Sequence, residues 1–142
     1  MRAHCKYMIR AMGNEDIGII YNYLTDEYAS INKGKDLVTT LKFIIKESKN
    51  KYVLETDDGI IIGYYVWKET SPNTAELSSV FIAPKYRHTK YAKELWVHGA
   101  NQLHTYKLVK CYMSYDEQQM PSKYYNKYRK AFDMKKLYEK VK

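Results

Sequence analysis

The chain has 142 residues, 45% of them hydrophobic and 28% charged, with a formal net charge of +8 at pH 7. This suits a single globular domain over residues 1–142 and excludes a disordered or fibrous chain, and no apolar run approaches the roughly 20 residues that span a bilayer. The basic balance favours anionic partners such as nucleotides, nucleic acid or acidic proteins.

Cys5 and Cys111 are too few and too distant for a disulfide framework, and the four histidines lack ligand spacing, His98 and His104 lying six apart. Reduced thiols and no bound metal are expected. Residues 1–6 are polar and lack a signal-peptide core, which makes a cytoplasmic protein the default expectation.

In chain order, residues 6–12 alternate as a first strand. Asn14 is placed to cap a helix, with Glu15 and Asp16 in its first turn and Ile17, Ile20, Tyr21, Leu24 and Tyr28 on one stripe. Asn32-Lys33-Gly34-Lys35 breaks that helix. Asp36 is placed to cap a second one, whose Leu37, Leu41, Ile44 and Ile45 share a face. Residues 51–56 and 60–69 are β-rich and flank Asp58-Gly59, a hairpin signal. Turn chemistry at residues 71–74 leads into a strand over 75–83. After a basic turn, Ala92, Leu95, Trp96, Gly99 and Leu103 form the stripe of a helix ending near Lys107. Residues 108–115 read as a strand, 121–131 as a helix and 132–141 as a final strand. The predicted order is β-α-α-β-β-β-α-β-α-β, a mixed α/β domain without repeats or linkers.

The most informative stretch is residues 80–96, VFIAPKYRHTKYAKELW, in which a strand runs through a basic turn directly into a helix. The first N–H groups of a helix lack internal acceptors and the macrodipole points its positive end at the turn, so such a junction suits an anion. Arg87, His88 and Lys90 add positive character. An exposed connection with solvating lysines is the alternative reading of the same residues.

This order of elements resembles the GCN5-related N-acetyltransferase family over residues 6–141. That family carries a strand ending in an apolar-x-Pro phrase, an Arg/Gln-x-x-Gly-x-Gly/Ala loop, and a long helix. Here the phrase is Val80-Phe81-Ile82-Ala83-Pro84 and the loop is Arg87-His88-Thr89-Lys90-Tyr91-Ala92. The resemblance implies an acyl-CoA N-acyltransferase-like fold with a mixed sheet and a splayed central strand pair. It places the pantetheine arm of acetyl-CoA beside Val80, Phe81 and Ile82, and its pyrophosphate on the loop amides. Arg87 and Ala92 fit the pattern. Lys90 replaces a glycine that would let the backbone approach phosphate without a Cβ in the way. It either obstructs the loop or brings its own charge to the phosphate.

The resemblance also implies a general base and an acid. Glu76, 11 residues ahead of Arg87, stands where some relatives place a base glutamate. Tyr125 or Tyr128 would protonate the departing thiolate; the register is ambiguous, because two residues separate Tyr128 from Ala131 and five separate Tyr125 from it. Ser78 and Ser79 lack a His–Asp partner, and Cys111 lacks a nearby base. Acceptor choice would lie with residues 26–36 and those after Asp133, which carry no readable motif; oligomeric state is equally illegible.

Three functions follow. The first is an acetyl-CoA-dependent N-acetyltransferase acting on an amine of a small molecule or protein. The second is a degenerate member kept for binding or structure, with Lys90 marking a lost cofactor site. The third is a nucleic-acid binder, argued from the net charge and from residues 122–142, where eight Lys/Arg accompany two acids among tyrosines. An enzyme modifying aminoacyl-tRNA would join the first and third. A pure nucleic-acid binder ranks last, because no helix-turn-helix, RNP or zinc-knuckle phrase is present.

Overall fold

The structure, a computed structural model, describes residues 7–111, 125–126 and 131–141. The β-rich runs become β1 (Tyr7–Ala11), β2 (Asn50–Thr56), β3 (Ile61–Ser71), β4 (Thr74–Ile82) and β5 (Leu108–Cys111), with short β6 (Tyr125–Asn126) and β7 (Ala131–Phe132). The striped segments become α1 (Asn14–Glu27), α2 (Gly34–Glu47) and α3 (Lys90–Leu103), and α4 (Met134–Val141) closes the chain. One sheet holds all seven strands in the order β1-β2-β3-β4-β5-β7-β6. Neighbours run antiparallel except β4 and β5, which pair in parallel from Thr74↔Leu108 to Leu77↔Cys111. The expected splaying of that pair involves residues beyond 111 and lies outside the described residues.

Helices cover the sheet on both sides, which is why β3 is buried without a break from Ile61 to Trp67. On one face the ring of Phe81 meets Tyr64 and, 5.5 Å away, Tyr23 of α1; Tyr23 also donates to the Ile61 carbonyl at 2.6 Å. On the other face Tyr65 packs on His98 of α3, and Gly63 lies against Leu95. The β2–β3 turn relies on Gly59, whose φ of +81° is left-handed. A second close approach is at Gly34, where a Cβ would sit 2.0 Å from the Tyr28 carbonyl oxygen.

Several expected boundaries move. Gly13, not Asn14, precedes α1, and its amide donates to the Asp16 carboxylate at 2.7 Å. Left-handed Lys33 precedes α2, which places Asp36 inside its first turn. α3 ends at Leu103, four residues before Lys107.

The end of the chain departs further from expectation. Residues 125–126 and 131 are in strands where a helix was expected, Phe132 is in a strand as expected, and residues 134–141 are helical where that strand was expected to continue. Asp133 decides the latter by accepting a hydrogen bond from the Lys136 amide at 2.9 Å. Met134 and Leu137 are buried, and Tyr138 stacks on His104 at 3.7 Å, an i, i+3, i+4 face that only a helix presents to α3. The mixed α/β class is unaffected. Among the described residues no helix is long and apolar enough to cross a membrane, and no cluster of three or more ligating side chains could hold a metal.

Two polar clamps fasten the layers. Arg10 on β1 holds the buried Asp16 of α1 at 2.7 Å and Glu55 of β2 at 3.1 Å. The Arg10 guanidinium, helped by the Gly13 amide and opposed by burial, keeps the Asp16 carboxyl below its ordinary pKa. Across the sheet, the Tyr65 hydroxyl and His98 Nδ1 share a 2.6 Å hydrogen bond, with Tyr52 stacked on Tyr65. Burial lowers the His98 pKa, so the imidazole is held neutral; burial, then the neighbouring Tyr52, raises that of Tyr65, so the phenol keeps its proton.

Both clamps predict that stability falls as pH is lowered, because in each case the unfolded state takes up the proton first. The loss from His98 begins as pH drops below its ordinary 6.5, and that from Asp16 only below 3.8. Thermal melts from about pH 7.5 to about pH 5.5 should show a falling midpoint in the wild type and a smaller fall in His98→Gln. Asp16→Asn should cost about 2–3 kcal/mol in denaturant unfolding near neutral pH, less than a fully buried pair because Arg10 remains 30% exposed.

Candidate active site

The site grows from the way β4 ends. After Ile82 the Ala83 amide still donates to the Ile62 carbonyl at 2.8 Å, and Pro84–Tyr86 then turn through one 3-10 turn. Arg87 is extended, His88 is left-handed with φ of 62°, and Thr89 precedes α3. Thr89 has the residue type of an N-cap, but its hydroxyl turns back to the Tyr86 carbonyl at 2.5 Å. Among the described residues no side chain caps α3. By contrast, Asp16 meets the amide before α1 and Asp133 meets one in α4. The positive end of the α3 dipole therefore faces the turn without a carboxylate of its own.

The side chains of the loop divide by burial. His88 and Lys90 are exposed, Lys90 being the first residue of α3, and Tyr91 is half-buried with its ring edge-on to Tyr86 at 5.6 Å. Ala92 is buried where the helix meets the core. Arg87 turns inward and is only 8% exposed. Its Nε donates to the Ile82 carbonyl at 2.9 Å, its Nη2 to Glu27 Oε1 at 2.6 Å, and its guanidinium lies over the Phe81 ring.

On β4, Phe81 and Ile82 are buried and Val80 is half-buried. Glu76 lies four positions before Val80, roughly 13 Å along the strand. Its Oε2 accepts from the Ser78 hydroxyl at 3.0 Å and meets Lys68 Nζ at 3.5 Å. Ser78 is the extra residue of a bulge, since Ser79 pairs with Val66 while Leu77 pairs with Trp67. Val80 through Ala92 thus gather at one junction, with Glu76 higher on the same strand. Tyr125 is on β6, three strands from β4, and is placed by its backbone only; Tyr128 lies outside the described residues.

Sequence reasoning missed Glu27, which lies 60 positions from Arg87, and Ser78 as the partner of Glu76. Only the second had a local signal, because a hydroxyl two positions along a strand points to the same side as the carboxylate.

Comparison with known proteins bears on this arrangement. The YhbS GNAT-family N-acetyltransferase of Escherichia coli, solved with CoA, superposes with a TM-score of 0.58 at 21% identity, covering 78% of this chain and 64% of that one. A GNAT-family acetyltransferase from Brucella melitensis, solved with acetyl-CoA, gives 0.57 at 17% identity, covering 79% of each chain. Spermidine N-acetyltransferase from Vibrio cholerae, solved with CoA and spermine, gives 0.50 at 18% identity, covering 75% of this chain and 70% of that one. No curated protein sequence matches significantly. The family model for the acetyltransferase (GNAT) domain matches residues 27–129, which span α2, the sheet core, the turn and α3, and the chain belongs to the GCN5-related N-acetyltransferase family.

Proposed function

We propose that the protein is an acetyl-CoA-dependent N-acetyltransferase whose acceptor is an amine of a small molecule or a protein. The observation that carries this reading is the uncapped start of α3 at the end of β4, with a lysine as its first residue, in a member of an acetyltransferase family. Helix amides and a cationic side chain are a matched receptor for a pyrophosphate. Left-handed His88 turns the chain just ahead of the helix amides. Lys90 is exposed, so its long side chain can swing clear of the backbone and meet the phosphate from the side. Val80, Phe81 and Ile82 then border the arm that leads to the acetyl group.

In this reading Glu76 accepts the proton that the attacking amine loses, directly or through water, and Ser78 and Lys68 fix the carboxylate. The amine nitrogen bonds to the acetyl carbonyl carbon, the carbon–sulfur bond breaks, and Tyr125 or Tyr128 returns a proton to sulfur. The spermidine acetyltransferase among the structural neighbours makes polyamines reasonable first acceptors to assay.

Coenzyme A at about 100 times its Kd should add roughly 2.7 kcal/mol to the unfolding free energy, and the absence of any shift would defeat the reading in favour of a fold kept for a non-catalytic role. Glu76→Gln should retain coenzyme A affinity and slow acetyl transfer by about 10²-fold or more. Lys90→Gly should weaken coenzyme A binding and flatten its dependence on salt; tighter binding would mean instead that Lys90 obstructs the loop.

A further inference from the structure

We propose that Glu27 is a positioning residue for the phosphate loop and acts through Arg87; this rests on the coenzyme A reading above. Glu27 is the last residue of α1 and meets the negative end of its macrodipole, with no basic residue in that turn to compensate. A carboxylate is locally unfavourable there. The Arg87 guanidinium offsets that cost at 2.6 Å, with the arginine side chain 8% and the glutamate side chain 22% exposed.

Among the described residues, the same guanidinium holds three parts of the molecule together. Nη2 reaches α1, Nε reaches the last residue of β4, and the plane lies over Phe81. Its backbone opens the loop, and the next residue, His88, holds a left-handed conformation that a residue with a side chain keeps only when its surroundings impose it. The imposed boundaries are Arg87 on one side and the Thr89–Tyr86 hydrogen bond on the other. Without the Glu27 charge, a mostly buried guanidinium would lose the carboxylate at 2.6 Å and be held less firmly against α1. The loop backbone would then lose its set conformation while the helix behind it stayed folded. Arg87 thus serves the phosphate site by placing backbone, its charge being spent on Glu27.

The experiment uses Glu27→Gln, which keeps the shape and removes the charge, Glu27→Asp, which keeps the charge and shortens the reach, and Arg87→Met. Two readouts are taken on the full chain: amide hydrogen exchange without ligand, and coenzyme A affinity by calorimetry at low and high salt. Glu27→Gln should speed exchange at residues 86–92 while leaving β3 protected, and raise the Kd for coenzyme A about tenfold, within the range for residues coupled in one ion-pair network. Glu27→Asp should fall between Glu27→Gln and the wild type, and serves as the test if Glu27→Gln folds poorly. The salt dependence of binding should be unchanged in Glu27→Gln and in Arg87→Met, because neither residue meets the phosphate.

Exchange that quickens equally in β3 would reduce the pair to general stability and overturn the proposal. So would a flatter salt dependence in Arg87→Met, which would make Arg87 a direct phosphate ligand. If the wild type binds coenzyme A and Glu27→Gln matches it, only the positioning role falls. If the wild type binds none, the functional reading falls and takes the positioning role with it.

Discussion

Parallel pairing of β4 with β5 is the constraint on which the remaining architecture depends. A chain leaving one strand cannot enter its parallel neighbour through a tight turn, so it must cross over one face of the sheet and return. α3 is that crossing, and its first turn therefore lies at the carboxyl end of β4. The location of the candidate anion site is thus fixed by topology before any particular residue is chosen. Residues 83–89 then determine what the junction can hold, and here they leave the helix end without a carboxylate.

Crossing one face leaves the other to α1 and α2, and the central strands become buried on both sides. A sheet enclosed in this way must satisfy its polar groups internally. Tyrosine does much of that work. Tyr64 shares a hydrogen bond with Ser79 at 2.7 Å, Tyr65 with His98, and Tyr23 bonds the Ile61 carbonyl. Each supplies a large apolar body and one polar end that finds a partner. The 16 tyrosines, which in the sequence look like compositional bias, include these structural members. Trp67 is the exception, its buried Nε1 having no hydrogen-bond partner among the described residues.

The sequence made the first three helices and the first five strands legible because their apolar spacing is unambiguous and glycine marks the turns at 34 and 59. The last segment was not legible in the same way. Phe132 and Met134 alternate with polar neighbours and read as a strand, whereas the helical signal was Asp133 followed by Met134, Leu137 and Tyr138. Over eight residues the two patterns overlap, and contact with α3 decides between them. At the site, the strand–turn–helix order placed Arg87 and Lys90 at the junction of β4 and α3, where the structure has them, but side-chain direction was beyond reach. Whether Arg87 points out to an anion or in to a carboxylate depends on Glu27, and no local pattern connects residues so far apart.

The bulge at Ser78 acts beyond its own position because side chains on a strand alternate with a period of two. It offsets the phase of β4 before it from the phase after it. With the extra residue in place, Phe81 lies across from Tyr64 and Val80 across from Tyr65. Ser78 itself has no partner on β3, so removing it would close the ladder and leave those pairs as they are. Because of it, Leu77 and Ser79, two positions apart in the chain, face opposite layers. The spare residue of β4 is accordingly slack in the strand, a place where the chain can lose one residue without reassigning the side chains that follow.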